Sequence, residues 1–85
     1  MSYEVRFDEG AIDSLNKLPK NLKSRIFNKI TSTKENPLHF FERLVGRQDY
    51  KMRIGDYRVI ADINLNHKII EITKIGHRKK IYQRI

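Results

Sequence analysis

Apolar residues in the first third of the chain recur at the spacing of two short helices. One stripe runs through residues 11–18 and stops at Pro19, and a second runs through residues 22–30. The link between them, Pro19-Lys20-Asn21, is short, which predicts an antiparallel αα-hairpin. Because neither helix can bury its apolar stripe alone, both are expected to cover a sheet.

Alternating apolar and polar residues predict the strands of that sheet. The alternation is found in residues 3–7, 50–54, 57–64 and 68–75. Gly55-Asp56 separates the second strand from the third and is a strong signal for a two-residue hairpin turn. Leu65-Asn66 is the predicted turn between the third strand and the fourth.

The Gly55-Asp56 turn sets a register that gathers three cations. It places Arg53 opposite Arg58 and Lys51 opposite Ile60, and alternation puts the three cations on one face. The apolar residues of both strands then share the other face. The turn at Leu65-Asn66 predicts Val59 opposite Ile72 and Thr73 opposite Arg58, with His77 at the far end of the cationic face.

Length and composition agree with one small domain over residues 1–85. The chain is 39% hydrophobic and 33% charged, and it has neither cysteine nor an apolar run long enough to span a membrane. We therefore expect a cytoplasmic protein without membrane partners. The predicted class is α+β, with the N-terminal αα-hairpin packed on a curved, mainly antiparallel four-stranded sheet.

The positive charge is concentrated in the second half of the chain. Residues 1–42 carry seven basic and six acidic side chains, whereas residues 43–85 carry eleven basic and only four acidic ones. This segregation favours a polyanion-binding surface joined to a structural support. The alternative is a basic surface that only keeps the protein soluble, although solubility does not require segregated charge.

Lys51, Arg53 and Arg58 form the first cluster with candidate chemistry. Like charges directly across a ladder are unfavourable, so the Arg53–Arg58 pair suggests a functional reason for the arrangement. Guanidinium forks match phosphate oxygens and can stabilise the charge that develops during phosphoryl transfer. The alternative is a solvated sheet face partly neutralised by nearby acids.

The C-terminal segment from Gly76 to Arg84 is the second cluster. His77 is a candidate acid or base because histidine titrates near neutrality, and Tyr82 could stack on an unpaired base. The alternative is a basic terminus with a bystander histidine. His39 and His67 lack the spacing of metal ligands, and no glycine-rich phosphate loop occurs, so neither a metal nor a cofactor is expected.

The order of these elements resembles the RelE/ParE superfamily of toxins, and RelE more than ParE. The resemblance covers nearly the whole chain. It is carried by three segments: YEVRFDEGAIDSLNKLPKNLKSRI, LVGRQDYKMRIGDYRVIADI and IGHRKKIYQRI. It implies a small α+β ribonuclease that cuts messenger RNA in the ribosome through attack by the RNA's own 2′-hydroxyl, without a metal.

The resemblance also implies the site residues and the partners. The implied catalytic residues are Lys51, Arg53, Arg58, Arg78 and Tyr82, and further RNA contacts are expected from Arg47, Lys79, Lys80 and Arg84. The implied partners are a RelB-like antitoxin in a hetero-oligomeric complex, messenger RNA, and the ribosome with its RNA. Two alternatives stay open: a ParE-like inhibitor of DNA gyrase, and a non-catalytic RNA-binding module.

Overall fold

The computed structural model of the chain describes residues 2–77, and these form the α+β architecture that the sequence predicts. Three helices and five strands follow each other along the chain in a β-α-α-α-β-β-β-β order. Their bounds are β1 Glu4–Phe7, α1 Glu9–Asn16, α2 Lys20–Ser32, α3 Pro37–Phe40, β2 Glu42–Arg43, β3 Tyr50–Ile54, β4 Tyr57–Asn64 and β5 Ile69–His77. No helix within residues 2–77 is long and apolar enough to cross a membrane.

The strands form a single mixed sheet with the order β1-β5-β4-β3-β2. All neighbours are antiparallel except β1 and β5, which run parallel. The sheet has one strand more than the four expected, because Glu42 and Arg43 pair with Lys51 and Tyr50 at the edge. Two residues are too few to show an alternation, so this strand could not be recognised from its own residues.

Helices α1 and α2 cover one face of the sheet and bury the core there. α1 contributes Ala11 and Leu15, and α2 contributes Ile26 and Ile30. The sheet contributes the buried side chains of Met52, Ile54, Val59, Ala61, Ile70, Ile72 and Ile75. Phe27, which the stripe of α2 places in the core, is instead half exposed and stacks on Phe7 with the ring centroids 6.0 Å apart.

The β3–β4 hairpin has the predicted register. Ile54 pairs with Tyr57, Arg53 with Arg58, and Lys51 with Ile60. Gly55 in the turn has a φ of +59°, a left-handed conformation that glycine adopts without the steric cost of a Cβ. The turn residues therefore fixed the pairing of this hairpin, as the sequence indicated.

The β4–β5 register differs from the prediction. The turn spans residues 65–68 rather than Leu65-Asn66, and the side-chain oxygen of Asn64 accepts hydrogen bonds from the backbone nitrogens of Asn66 and His67. The strands then shift again between Ile60 and Ala61, which leaves Thr73 as an extra residue in β5.

This register changes the partners expected for β4. Val59 lies opposite Ile75 rather than Ile72, and Arg58 lies opposite Gly76 rather than Thr73. The hydroxyl of Thr73 donates a hydrogen bond to the carbonyl of Ile60 at 3.2 Å, which satisfies that group beside the bulge.

Candidate functional site

The sheet face away from α1 and α2 carries two rows of side chains across β3, β4 and β5. The row next to the turn contains Arg53, Arg58 and Gly76, and the following row contains Lys51, Ile60 and Lys74. Residues that pair across an antiparallel ladder lie on the same side of the sheet. We call the four basic side chains Lys51, Arg53, Arg58 and Lys74 the cationic face.

Arg53 and Arg58 lie directly opposite each other in the hairpin. The pair next to the turn, Ile54 and Tyr57, exchanges backbone hydrogen bonds in a two-residue hairpin, so the arginines occupy the following non-hydrogen-bonded position. Cα atoms at such a position are about 4.5 Å apart, the closest spacing that the ladder offers. The two arginine side chains thus start side by side on the same face of the sheet.

The two arginines differ in how they are held. Arg53 is exposed, and its Nε donates a hydrogen bond to the carbonyl of Gly55 at 3.0 Å. This contact orients the side chain and leaves its two terminal amino groups for a ligand. Arg58 is only 7% exposed, which is unusual for an arginine on a sheet face that the helices do not cover.

Gly76 places no side chain of its own beside Arg58. It is the β5 residue opposite Arg58, and it has no side chain to occupy the face. Any other residue would place a Cβ next to the guanidinium stem, because directly paired side chains in a sheet lie within contact distance.

Lys51 and Lys74 flank Ile60 in the second row. Lys51 is partly buried and Lys74 is exposed. Sequence reasoning missed Lys74, because a two-residue turn at Leu65-Asn66 would pair Ile60 with Glu71 instead of Lys74. The signal that could have revealed it is the bulge at Thr73, which turns Lys74 towards the cationic face.

One acid, Glu42 of β2, lies opposite Lys51 on this face, whereas Asp49, Asp62 and Glu71 lie away from the arginine pair. Asp49 forms a bidentate ion pair with Arg47 in the loop before β3, at 2.7 and 2.9 Å. Asp62 and Glu71 lie opposite each other in the β4–β5 ladder, at the end of β4 that is remote from the β3–β4 turn. Lys51 and Arg53 form no ion pair with any carboxylate in the described part of the chain. A fully neutralised, solvated face does not match this arrangement.

Glu71 marks the acidic end of the same sheet face. A hydrogen bond with Asp8 and the negative charges of Asp8 and Asp62 raise the pKa of Glu71 above its ordinary value. The outer face is therefore polarised along β4, basic at the hairpin and acidic at the far end. A polyanion would be attracted to the first and repelled by the second.

His77 lies on the other side of the sheet, contrary to the prediction. It pairs with Tyr57, and the two rings meet edge to face with centroids 5.6 Å apart. Both line a cavity of about 520 Å³ between α1 and β5, together with Ser14 and Lys17. His77 consequently does not share a face with Arg53 and Arg58, and its position does not support an acid–base role there.

The other predicted residues divide into two groups. Arg47 is described, and its charge is compensated by Asp49. The residues predicted in the C-terminal segment lie outside the described residues; they are Arg78, Lys79, Lys80, Tyr82 and Arg84. Within residues 2–77, no three side chains of histidine, aspartate or glutamate gather in the manner of a metal site.

Comparisons with known proteins agree on one family. The profile described as "ParE toxin of type II toxin-antitoxin system, parDE" matches residues 5–82. A RelBE toxin–antitoxin complex from Mycobacterium tuberculosis contains a chain that is 26% identical, with a TM-score of 0.84; the match covers 92% of this chain and 100% of that one. No protein with a curated function matches the sequence.

Two further structures share the fold. A RelE–RelB complex from the archaeon Pyrococcus horikoshii matches with 29% identity and a TM-score of 0.75, covering 92% of this chain and 97% of the other. The free toxin RelE of E. coli, in a double arginine-to-alanine variant, matches with 21% identity and a TM-score of 0.80 over 98% and 93% of the two chains. At this last identity the likeness shows the fold alone. With the family profile spanning most of its length, the chain belongs to the RelE/ParE superfamily of toxins from type II toxin–antitoxin systems.

Proposed function

We propose that this toxin is an endoribonuclease that cleaves messenger RNA in the ribosome, in the cytoplasm and without a metal. The observation that carries the proposal is the Arg53–Arg58 pair across the hairpin, with Lys51 and Lys74 in the adjoining row. Four cations on one small face supply a site for a single RNA linkage and its neighbouring phosphate.

The reaction that suits this site is an internal transfer within the RNA. The 2′-hydroxyl oxygen attacks the adjacent phosphorus, a 2′,3′-cyclic phosphate forms, and the bond from phosphorus to the 5′-oxygen breaks. The 2′-hydroxyl loses its proton, and the departing 5′-oxygen gains one. Negative charge on the phosphoryl oxygens peaks between these events, and Arg53 and Arg58 stabilise it.

Lys51 is the residue proposed to act on the attacking oxygen. Its side chain lowers the cost of forming the 2′-alkoxide, either through the charge of the ammonium group or, as the neutral amine, by accepting the proton as a weak base. Arg53 and Arg58 stay protonated and cannot accept the proton. The resemblance assigns charge stabilisation to Arg78 and base stacking to Tyr82, and both assignments stay predictions.

Cleavage in a translation extract tests the proposal. Wild-type toxin should produce fragments ending in a 2′,3′-cyclic phosphate and fragments beginning with a 5′-hydroxyl, whereas Arg53→Ala should lose most of this cleavage. Arg53 is exposed, so its replacement should not unfold the protein. Lys20→Ala, which removes a cation from the first turn of α2, is the matched control. Undiminished cleavage by Arg53→Ala, or intact messages with wild-type toxin, would refute the assignment.

Inhibition of DNA gyrase is the second candidate function, because the matching family profile is that of ParE toxins. A supercoiling assay separates the two: a gyrase inhibitor blocks supercoiling and leaves messages intact. Salt-sensitive RNA binding without either effect would instead indicate a non-catalytic binding module.

A RelB-like antitoxin is the proposed protein partner. The M. tuberculosis and P. horikoshii relatives were crystallised as complexes with their antitoxins. An amphipathic or acidic segment would complement the basic surface and neutralise it. Co-expression with the neighbouring reading frame should yield a stable complex and restore growth, while harmless expression of the toxin alone would argue against the pairing.

A further inference from the structure

A second basic surface lies where α2 meets the tip of the β3–β4 hairpin. A groove of about 630 Å³ opens there, and we call it the tip groove. Its lining comprises Arg25, Asn28, Lys29 and Ser32 from α2, and Arg53, Ile54 and Gly55 from the hairpin. No acidic residue of the described chain lines it. The sequence pattern did not reveal this grouping, because it joins a helix to a hairpin far along the chain.

The α2 side of the groove presents its polar residues along one stripe. Arg25, Lys29 and Ser32 follow each other at intervals of four and three, which places them on the same face of the helix. The ammonium group of Lys29 lies 4.9 Å from the centroid of the Phe40 ring, a contact that limits its freedom.

The hairpin side approaches Arg25 closely. The guanidinium nitrogens of Arg25 lie 3.6 and 3.7 Å from the point where a Cβ would stand on Gly55. The Arg25 side chain of α2 therefore reaches the turn across the groove. Arg53 reaches the same turn, since its Nε donates to the Gly55 carbonyl. Arginines from two separate elements thus converge on one glycine.

The charge of the groove is uncompensated. Arg25, Lys29 and Arg53 form no ion pair with a carboxylate in the part of the chain that the structure describes. Three cations around a concave surface create a potential that attracts anions, and the surrounding low-dielectric protein focuses it. Arg53 belongs both to this groove and to the cationic face, so the two surfaces form one continuous track.

We propose that the tip groove binds a second backbone phosphate of RNA and so continues the path of the RNA beyond the cleavage site. This inference rests on the proposed function, because it takes RNA as the ligand of the adjoining cationic face. Arg25 and Lys29 contribute binding and no chemistry. The phosphate belongs either to the message or to ribosomal RNA, and Arg25 and Lys29 would bind the phosphate of either RNA through the same charge interactions.

Salt-dependent binding tests the groove without requiring cleavage. The variant Arg25→Ala/Lys29→Ala is compared with Lys20→Ala/Lys23→Ala, which removes the same charge from the same helix outside the groove. One arm measures binding of a short single-stranded RNA whose 2′-hydroxyls are methylated. The other measures binding to ribosomes without message. Thermal melting verifies folding, and Arg25→Ala alone serves if the double variant melts early.

The outcomes are distinct. Loss of one phosphate contact lowers the slope of log affinity against log salt by about 0.7 on a single strand, with roughly tenfold weaker binding at low salt. A change in the short-RNA arm assigns the phosphate to the message, and a change confined to ribosomes assigns it to ribosomal RNA. Groove and control variants that behave alike in both arms would overturn the inference. Methylated RNA cannot be cut by its 2′-hydroxyl, so a weakened groove variant supports the site even if wild-type toxin cleaves nothing.

Discussion

At the scale of single residues, the Arg53–Arg58 pair depends on two glycines. Like charges directly across a ladder are destabilising, so the pair has to be tolerated by its surroundings. The Gly55 carbonyl accepts a hydrogen bond from Arg53, and Gly76 adds no side chain opposite Arg58. A bound phosphate would remove the repulsion, and a ligand of this kind should therefore stabilise the folded protein.

Gly76→Val tests whether the position opposite Arg58 has to lack a side chain. Valine favours strands, so β5 should form as well as before, while its branched side chain stands on the cationic face opposite Arg58. We expect the melting temperature to be preserved and message cleavage to fall at least tenfold. Cleavage at the wild-type rate by a folded Gly76→Val variant would show that this position tolerates a side chain.

Gly55 and Gly10 should respond to alanine in opposite directions. Gly55 has a φ of +59°, and alanine there costs about 1–2 kcal/mol. Gly10 lies in α1, and a Cβ added to it would meet nothing within 4 Å, so alanine should stabilise the protein by up to about 1 kcal/mol. Denaturant unfolding of both variants measures the difference. Equal effects would mean that the turn does not require the left-handed conformation.

At the scale of elements, the two hairpins of the sheet show how far sequence reasoning reaches. Gly55-Asp56 is a local signal with one favoured geometry, so the β3–β4 register and the placement of Lys51, Arg53 and Arg58 were predicted correctly. The β4–β5 connection depends on the Asn64 side chain, a left-handed Lys68 and a bulge at Thr73.

None of these features follows from alternation alone. A bulge adds one residue to one strand, and every side chain beyond it changes its partner. Lys74 was therefore missed, and His77 was assigned to the wrong face. Arg25 was missed for another reason, because its role depends on the contact between α2 and a hairpin that lies much later in the chain.

The acidic end of the sheet face gives a pH-dependent prediction. Because the pKa of Glu71 is raised in the folded protein, the folded state holds this proton more tightly than the unfolded chain does. The free energy of unfolding therefore falls as the pH rises above the ordinary Glu71 pKa of 4.5 and the carboxyl group ionises. Glu71→Gln should melt at a higher temperature than wild type at pH 7, and the gain should disappear below about pH 4.5.

Glu4→Gln is the control variant, and its melting temperature should shift in the opposite direction. The hydrogen bond from Arg6 lowers the pKa of Glu4, so the ionised form stabilises the fold above its ordinary pKa of 4.5. That contribution is lost as the pH falls through the lowered value. Melting curves from about pH 3 to about pH 8 should place the two variants on opposite sides of wild type at neutral pH, and shifts of the same sign would contradict the assignment.

At the scale of the whole molecule, the two faces of one sheet have different roles. Helices α1 and α2 bury the apolar residues of β3, β4 and β5 on one face. The other face is left to carry charge, basic at the hairpin and acidic at the far end of β4. An RNA chain is therefore expected to cross the sheet at the hairpin end, over Arg53 towards α2.

The central claim is that Arg53 and Arg58 hold the same phosphate, and a double-mutant cycle of single-turnover message cleavage on ribosomes measures it most directly. Each single alanine variant should lower the cleavage rate by roughly 10²–10³-fold. The double variant should be far less impaired than the product of the two losses, because groups that act as a unit are not additive. Rates unchanged by either substitution, or losses that multiply in full, would contradict the account.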